Sequence, residues 1–326
     1  MFQLGFAGTF ASHFAEPVRA RLQLPCHVIV AGEAEIVSEL AALDVLVTMA
    51  FSAEMGRMAR RLKLVQVPGA GLDRIERSAL PAGAFLANAY GHETGIAEYV
   101  IGAMLSLTRE FARLDAALRR GTWASQWSID APAPPVWREL VGKTVGILGY
   151  GRIGRAVARR ARSFDMQVCA IRRDVGRSGD DELALLGNLG VMDEVLRRSD
   201  YLVVALPLMP ETRGLIGEKQ LALMKPSAVL VNISRAEIID EEALYRALSG
   251  HTIAAAALDV WYRYPRQPGP TRPARQPFHE LPNVLMTPHV AGWTDGMLRA
   301  RAELMAENVH RTARGEPPLN LVSSPG

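Results

Sequence analysis

Thr144-Val-Gly-Ile-Leu-Gly149-Tyr-Gly151-Arg152-Ile153-Gly154-Arg-Ala-Val-Ala158 is the stretch that decides the fold. A short apolar run leads into glycines spaced G-x-G-x-x-G, and a helix-forming run follows through Phe164. Alone the glycine pattern is weak, because that spacing recurs by chance. Between a strand and a helix it acquires a mechanism. Gly149 permits a tight turn, Gly151 lets a pyrophosphate approach the backbone, and Gly154 lets the helix pack on its strand. The diphosphate then meets the N–H groups of the first helical turn, at Arg152 and Ile153.

Outward from this turn, short apolar runs alternate with longer amphipathic stretches, the pattern of parallel α/β structure. Strands are expected at 4–7, 28–30, 45–48, 64–67 and 85–88, with helical patterns at 36–43 and 55–61 between them. A long Ala- and Leu-rich helix is expected from Gly95 to Arg120, stopping at Gly121. Asp130-Ala-Pro-Ala-Pro-Pro-Val136 reads as an extended loop. A second series follows, with strands at 145–148, 168–171, 202–205, 229–233, 254–258 and 284–286, then a helical tail at 294–314. Two α/β series joined by a helix predict two lobes, and a cleft between lobes is the usual place for a ligand.

Composition narrows the function classes. The chain has 326 residues, 22% of them charged, and a formal charge of +3 without any block of like charge, so nucleic-acid binding is not expected. No run of about 18 apolar residues occurs, so no membrane span is expected and the cytoplasm is the default location. Cys26 and Cys169 lie in strand-like runs and read as buried, reduced thiols rather than a disulfide or metal site.

About twenty residues past the glycine turn, an Asp or Glu ordinarily binds the ribose 2′-hydroxyl of NAD. This chain reads Val168-Cys-Ala-Ile-Arg172-Arg173-Asp174. Two guanidinium groups suit a 2′-phosphate by charge and by forked hydrogen bonding, so NADP(H) is favoured, with NAD(H) possible.

Three further residues stand at strand-to-loop junctions: Arg235 after the run 229–233, Asp259 after 254–258, and His289 after 284–286. Together with Pro68-Gly69-Ala70-Gly71, Gly95-Ile-Ala-Glu98, Ala205-Leu206-Pro207-Leu208, Glu211-Thr212-Arg-Gly214, Asn232-Ile233-Ser234-Arg235, Leu258-Asp-Val260 and Thr287-Pro-His289, the chain resembles the D-2-hydroxyacid dehydrogenases over nearly its whole length. Glyoxylate/hydroxypyruvate reductases and phosphoglycerate dehydrogenases are of this kind. The resemblance implies a Rossmann-type doubly wound parallel sheet, residues 98–290, inserted into a flavodoxin-like α/β substrate domain, residues 1–97 and 291–326. It implies hydride transfer between NAD(P)H and a small 2-keto acid or 2-hydroxy acid. Arg235 would hold the carboxylate and polarise the carbonyl, and His289 would be the acid/base. Leu206, Pro207, Thr212, Ile233, Ser234, Asp259 and Gly292 would border the cofactor, and Gly69, Ala70 and Gly71 the substrate carboxylate. Tyr90 and His92, just before the long helix, are candidate substrate contacts. A homodimer is expected by the same analogy, with Trp123, Trp127 and Trp137 either at its interface or in the chain's own core.

One position departs from the family pattern. A glutamate that pairs with the histidine belongs five residues after the aspartate, and Asp259-Val-Trp-Tyr-Arg-Tyr264-Pro265 has tyrosine there. Tyr264 orienting His289 is the first expectation, and the uncharged partner would leave the histidine with a lower pKa. Reduction would then weaken at a lower pH than in a relative with the glutamate. A carboxylate from elsewhere, Glu280 being nearest in sequence, is the second, and lost catalysis with retained nucleotide sensing the third. The D-V-W sequence also raises a formate- or phosphite-type dehydrogenase. The Pro-rich stretch 266–278 reads as a loop, either beside the site or on the surface.

Overall fold

The computed structural model describes residues 1–129, 136–176, 183–265 and 267–323. The expected Pro-rich loop at 130–136 therefore lies outside the described residues except for Val136. The chain divides into two compact units, residues 1–92 with 293–326, and residues 93–292.

The first unit begins with five parallel strands: β1 (Phe2–Ala7), β2 (Cys26–Ala31), β3 (Val45–Thr48), β4 (Leu64–Gln66) and β5 (Phe85–Ala87). The second carries seven: β6 (Thr144–Leu148), β7 (Gln167–Ile171), β8 (Leu185–Gly187), β9 (Tyr201–Val204), β10 (Val229–Asn232), β11 (Ala255–Leu258) and β12 (Val284–Met286). Their spatial order is β12-β11-β10-β9-β6-β7-β8, all parallel. A last strand, β13 (Leu321–Ser323), returns to the first unit and pairs antiparallel with β5, giving the order β13-β5-β4-β3-β1-β2.

Both faces of the larger sheet are covered, and the side-chain alternation shows how. Val145, Ile147, Val168, Ala170, Val203 and Val231 point to one side, against Val100 and Met104 of the helix Glu93–Arg109 and Val157 of the helix Arg152–Arg162. Leu148, Cys169, Ile171, Leu202, Val204 and Leu230 point to the other, against Val195, Leu196, Leu244 and Leu248. Strands buried on both faces read as continuous apolar runs, which is why the sequence displays them. The first unit is covered the same way, with Met297, Met305 and Val309 of the helix Asp295–Ala313 on one side of its sheet and Ile36, Leu40 and Met55 on the other.

Several local expectations are corrected. The long helix is two, Glu93–Arg109 and Phe111–Arg119, because Glu110 takes a left-handed conformation with φ 51°. The pattern at 36–43 forms a 3₁₀ turn, Glu35–Glu39, and the helix after it is Ala53–Met58. Cys169 is buried, but Cys26 at the start of β2 is only half-buried. Trp123 and Trp127 are exposed, so neither packs in a core of its own chain. Among the described residues no helix is long and apolar enough to cross a membrane.

Candidate functional site

Gly149 follows β6 with φ 105°, a conformation that L side chains rarely adopt. A Cβ there would lie 2.6 Å from the backbone of Ala205, so the turn fits under the end of β9 only as glycine. At Gly154 a Cβ would meet the Gly149 carbonyl at 2.4 Å, which fixes the close helix–strand approach. Gly151 differs: nothing stands within 4 Å of its Cβ position. The N–H groups of Gly149 and Tyr150 both donate to the Ile171 carbonyl, at 3.1 and 2.8 Å. The helix Arg152–Arg162 starts straight after, with no side-chain cap on its N-terminus. Open space at Gly151 in front of an uncapped helix N-terminus fits a dinucleotide phosphate. Of the neighbours expected there, Arg152 is exposed and Ile153 half-buried.

Past β7, Arg172 is half-buried and its Nη2 donates to the Val175 carbonyl at 3.1 Å. Its Nε is buried without a hydrogen-bond partner among the described residues. Arg173 is exposed and pairs with Glu211 at 3.3 Å. Asp174 accepts from the Gly176 N–H at 3.1 Å, which engages its carboxylate in its own turn. Across the sheet, the Thr212 hydroxyl donates to the Pro207 carbonyl and accepts from the Met209 N–H, both at 2.8 Å. It closes the loop after β9 and is itself buried. Ser234 donates to the Leu206 carbonyl, tying that loop to the turn after β10. Ile233 is buried, and Gly292 is half-buried.

The remaining second-unit residues gather at the carboxyl ends of three neighbouring strands. Arg235 follows β10, half-buried, with its Nη1 donating to the Ser234 carbonyl at 2.9 Å. Buried Asn232 shapes that turn, accepting from the Ser234 N–H and donating to the Arg235 carbonyl, each at 3.1 Å. Asp259 follows β11 and is buried. Its carboxylate accepts from the N–H groups of Val290 and Ala291, both at 2.9 Å, and from the Thr287 hydroxyl at 2.6 Å. Thr287 in turn accepts from the Tyr99 hydroxyl at 2.7 Å. Burial pushes that phenol up to about 12. The structure thus uses both oxygens of Asp259 to hold the loop that carries His289.

His289 has φ 57°, is exposed, and places Nδ1 2.7 Å from the Tyr264 hydroxyl. Its Nε2 has no protein hydrogen-bond partner among the described residues. Loss of hydration on the protein side lowers its pKa. The Asp259 carboxylate opposes that shift and the Arg235 cation adds to it. The expectation that Glu280 replaces the missing glutamate is not met: Glu280 stands 3.8 Å from His279 and is exposed.

Asp259-Val-Trp-Tyr-Arg-Tyr264 organises this cluster through Trp261 and Tyr262, to which the sequence alone assigns no supporting role. The Trp261 indole N–H donates to the Thr287 carbonyl at 2.8 Å, and the Tyr262 hydroxyl to the Ile239 carbonyl at 2.9 Å. One short segment therefore grips the histidine loop and the stretch just past Arg235. The Pro-rich loop buttresses it from below. Ala274 and Phe278 are buried with Trp261 and Tyr245, and the Arg275 and Gln276 N–H groups donate to Glu241. No periodicity marks Trp261 or Tyr262 beforehand, because their partners lie about twenty residues or more away.

In the first unit, the Ala89 N–H donates to the Gly69 carbonyl and the Asn88 amide to the Ala70 carbonyl, each at 3.1 Å. With its carbonyls held, this loop leaves the N–H groups of Gly69, Ala70 and Gly71 without a protein acceptor among the described residues. Arg301, buried on the helix Asp295–Ala313, donates to the Tyr90 carbonyl at 3.0 Å and sits 2.8 Å from His92 Nδ1. Its Nη1 lies 4.0 Å from the Cβ position of Gly69. Amides in this state beside a buried guanidinium have the chemistry that suits an anion. Arg301 was not singled out in the sequence, where it reads as one of several arginines along a helical stretch.

Residues 101–291 match the family model described as D-isomer specific 2-hydroxyacid dehydrogenase, NAD binding domain. A glyoxylate reductase of Thermococcus gammatolerans is 35% identical over 286 residues, covering 86% of this chain and 83% of its own length. A D-3-phosphoglycerate dehydrogenase of Methanocaldococcus jannaschii is 34% identical over 300 residues, 89% of this chain and 54% of its own. Among solved structures, a D-isomer specific 2-hydroxyacid dehydrogenase from Xanthobacter autotrophicus, in complex with NADPH and MES, superposes with a TM-score of 0.78. It is 26% identical, and the match covers 99% of this chain and 98% of that one.

Proposed function

Because the chain belongs to the D-isomer-specific 2-hydroxyacid dehydrogenase family, we propose that it reduces small 2-keto acids of the glyoxylate or hydroxypyruvate type, with NADPH as the preferred coenzyme. The observation that carries this reading is the state of His289, with Nδ1 held by the Tyr264 hydroxyl and Nε2 left for a substrate oxygen. Arg235, on the neighbouring strand end, is near enough for its charge to act on both Tyr264 and His289. A planar cation there draws electron density from a carbonyl oxygen and holds a carboxylate. His289 delivers the proton to that oxygen as the alcohol forms. The amides of Gly69, Ala70 and Gly71 receive the substrate carboxylate, with Arg301 reinforcing them and Tyr90 and His92 shaping the same end of the first unit. We assign the first unit to the substrate and the second to the dinucleotide. The similarity of this chain to glyoxylate reductases supports the substrate class.

The coenzyme would be held at Gly149–Gly154, Leu206, Pro207, Ile233 and Ser234, and when bound it supplies the hydride. Arg172 and Arg173 would take its 2′-phosphate. The buried, unpartnered Nε of Arg172 supports that assignment, since an anion there would satisfy it. NADPH is expected to give a higher kcat/KM than NADH. Replacing both arginines by alanine is expected to shrink that advantage by about 10–100-fold, the equivalent of ~1.5–3 kcal/mol for a charged hydrogen bond. Steady-state rates with both coenzymes check this, and a wild-type preference for NADH would refute it.

The exposure of the apolar residues Phe111, Leu118, Trp123 and Trp127 supports assigning the stretch 111–127 to a homodimer contact. Sedimentation velocity is expected to give a dimer at micromolar concentration, and a monomer that persists on concentration would remove the assignment.

A further inference from the structure

We propose that Tyr264 and His289 act as a two-proton relay, so that keto-acid reduction does not depend on a doubly protonated imidazole. The proposal rests on the reading of His289 as the proton donor. The Tyr264 oxygen already accepts from the Trp261 N–H at 3.4 Å, and in the relay its own hydrogen goes to His289 Nδ1, 2.7 Å away. A neutral imidazole that accepts at Nδ1 carries its one hydrogen on Nε2. The uncharged ring therefore already presents an N–H at the nitrogen that no protein group among the described residues engages. A carboxylate in the place of Tyr264 would do the opposite. It only accepts, so it would draw the hydrogen of a neutral ring to Nδ1 and leave a lone pair on Nε2.

Hydride brings an electron pair to the carbonyl carbon, and the carbonyl oxygen takes the Nε2 hydrogen as a proton. Nδ1 takes the hydroxyl proton of Tyr264, which leaves a phenolate. Solvent then protonates the exposed Nε2, Nδ1 returns its proton to Tyr264, and the cycle has consumed one proton from water. The alkoxide forming at the substrate is more basic than a phenolate, so the transfer runs downhill. The charged groups facing the pair are few. The Trp261 N–H and the Arg235 cation favour the phenolate, while burial and the Asp259 and Glu237 carboxylates oppose it. Burial pushes the Tyr264 phenol above its ordinary 10.0 and the His289 ring below its ordinary 6.5. Between those limits both groups rest neutral, which is the state that the relay needs. Without Tyr264's proton, the lowered histidine alone would make reduction fade as pH rises through its pKa.

Tyr264→Phe keeps the ring and removes only the transferable proton. From about pH 5.5 to pH 9.5, kcat/KM for keto-acid reduction is expected to stay level in the wild-type protein, in place of the early decline expected from an uncharged partner alone. In Tyr264→Phe it is expected to fall about tenfold per pH unit above the histidine pKa. Ring ¹⁵N shifts of His289 in the coenzyme-free wild-type protein, at a pH where the ring is neutral, provide an independent readout that does not depend on the variant. They are expected to show hydrogen on Nε2 and a bare Nδ1. Wild-type and variant profiles that decline together, or a neutral ring with its hydrogen on Nδ1, would overturn the relay alone. Failure of the wild-type protein to turn over any 2-keto acid would overturn the functional reading along with it.

Discussion

His289→Asn is expected to lower kcat/KM for keto-acid reduction by about 10²–10⁴-fold, the range that a positioned general acid contributes. Asparagine is the informative replacement because His289 sits at φ 57°, a region that asparagine tolerates better than most residues. The loop around it is held by Asp259 through the Val290 and Ala291 N–H groups, not by the imidazole. The melting temperature and the Kd for NADPH should therefore stay close to those of the wild-type protein. Were the rate to fall by less than about tenfold, proton delivery would have to come from another group.

Asp259→Ala should be the most damaging substitution in the cluster, and by another route. It leaves the buried Ala291 N–H, the part-buried Val290 N–H and the Thr287 hydroxyl without their acceptor, and an orphaned buried donor costs about 1–3 kcal/mol. The loop that fixes His289 then loses its ties at Val290 and Ala291 and keeps those made at Thr287 to the Leu258 carbonyl and the Trp261 indole. Thermal unfolding should shift down clearly, and kcat should drop even where the protein remains folded, with NADPH affinity changed far less. Asp259→Asn retains one acceptor oxygen and should fall between. An unchanged melting temperature with full activity in Asp259→Ala would mean that the loop is held by other contacts. A selective loss of NADPH binding would return Asp259 to the cofactor site.

Much of this arrangement was legible beforehand, for physical reasons. Strands buried on both faces leave continuous apolar runs, and β6, β9 and β10 were found from them. Short strands leave no such trace: β8 and β13 are three residues each, and nothing in Leu-Leu-Gly or Leu-Val-Ser separates them from a loop. The break at Glu110 was hidden because its flanks share a helical composition, and a left-handed residue there is set by tertiary packing rather than propensity. Arg235, Asp259 and His289 stand at strand ends, where position in the alternating pattern already says ligand. Their supporting residues do not. Trp261, Tyr262, Thr287 and Tyr99 act through partners far away in sequence, and only the folded chain brings them together. Tyr264 stands out because the family resemblance implies a glutamate at its position, but the choice between Tyr264 and Glu280 as the partner of His289 needs the folded chain.

The central claim is that this chain passes hydride to a 2-keto acid with His289 as proton donor. Its most direct test follows NADPH absorbance at about 340 nm with glyoxylate, hydroxypyruvate and phenylpyruvate, formate and phosphite being tested with the oxidised coenzyme, and resolves the product enantiomers by chiral chromatography. One D-2-hydroxy acid is expected per NADPH oxidised with hydroxypyruvate or phenylpyruvate, glycolate from glyoxylate, and no comparable activity in His289→Asn. Tight NADPH binding without oxidation by any of the keto acids, or turnover confined to formate or phosphite, would contradict it.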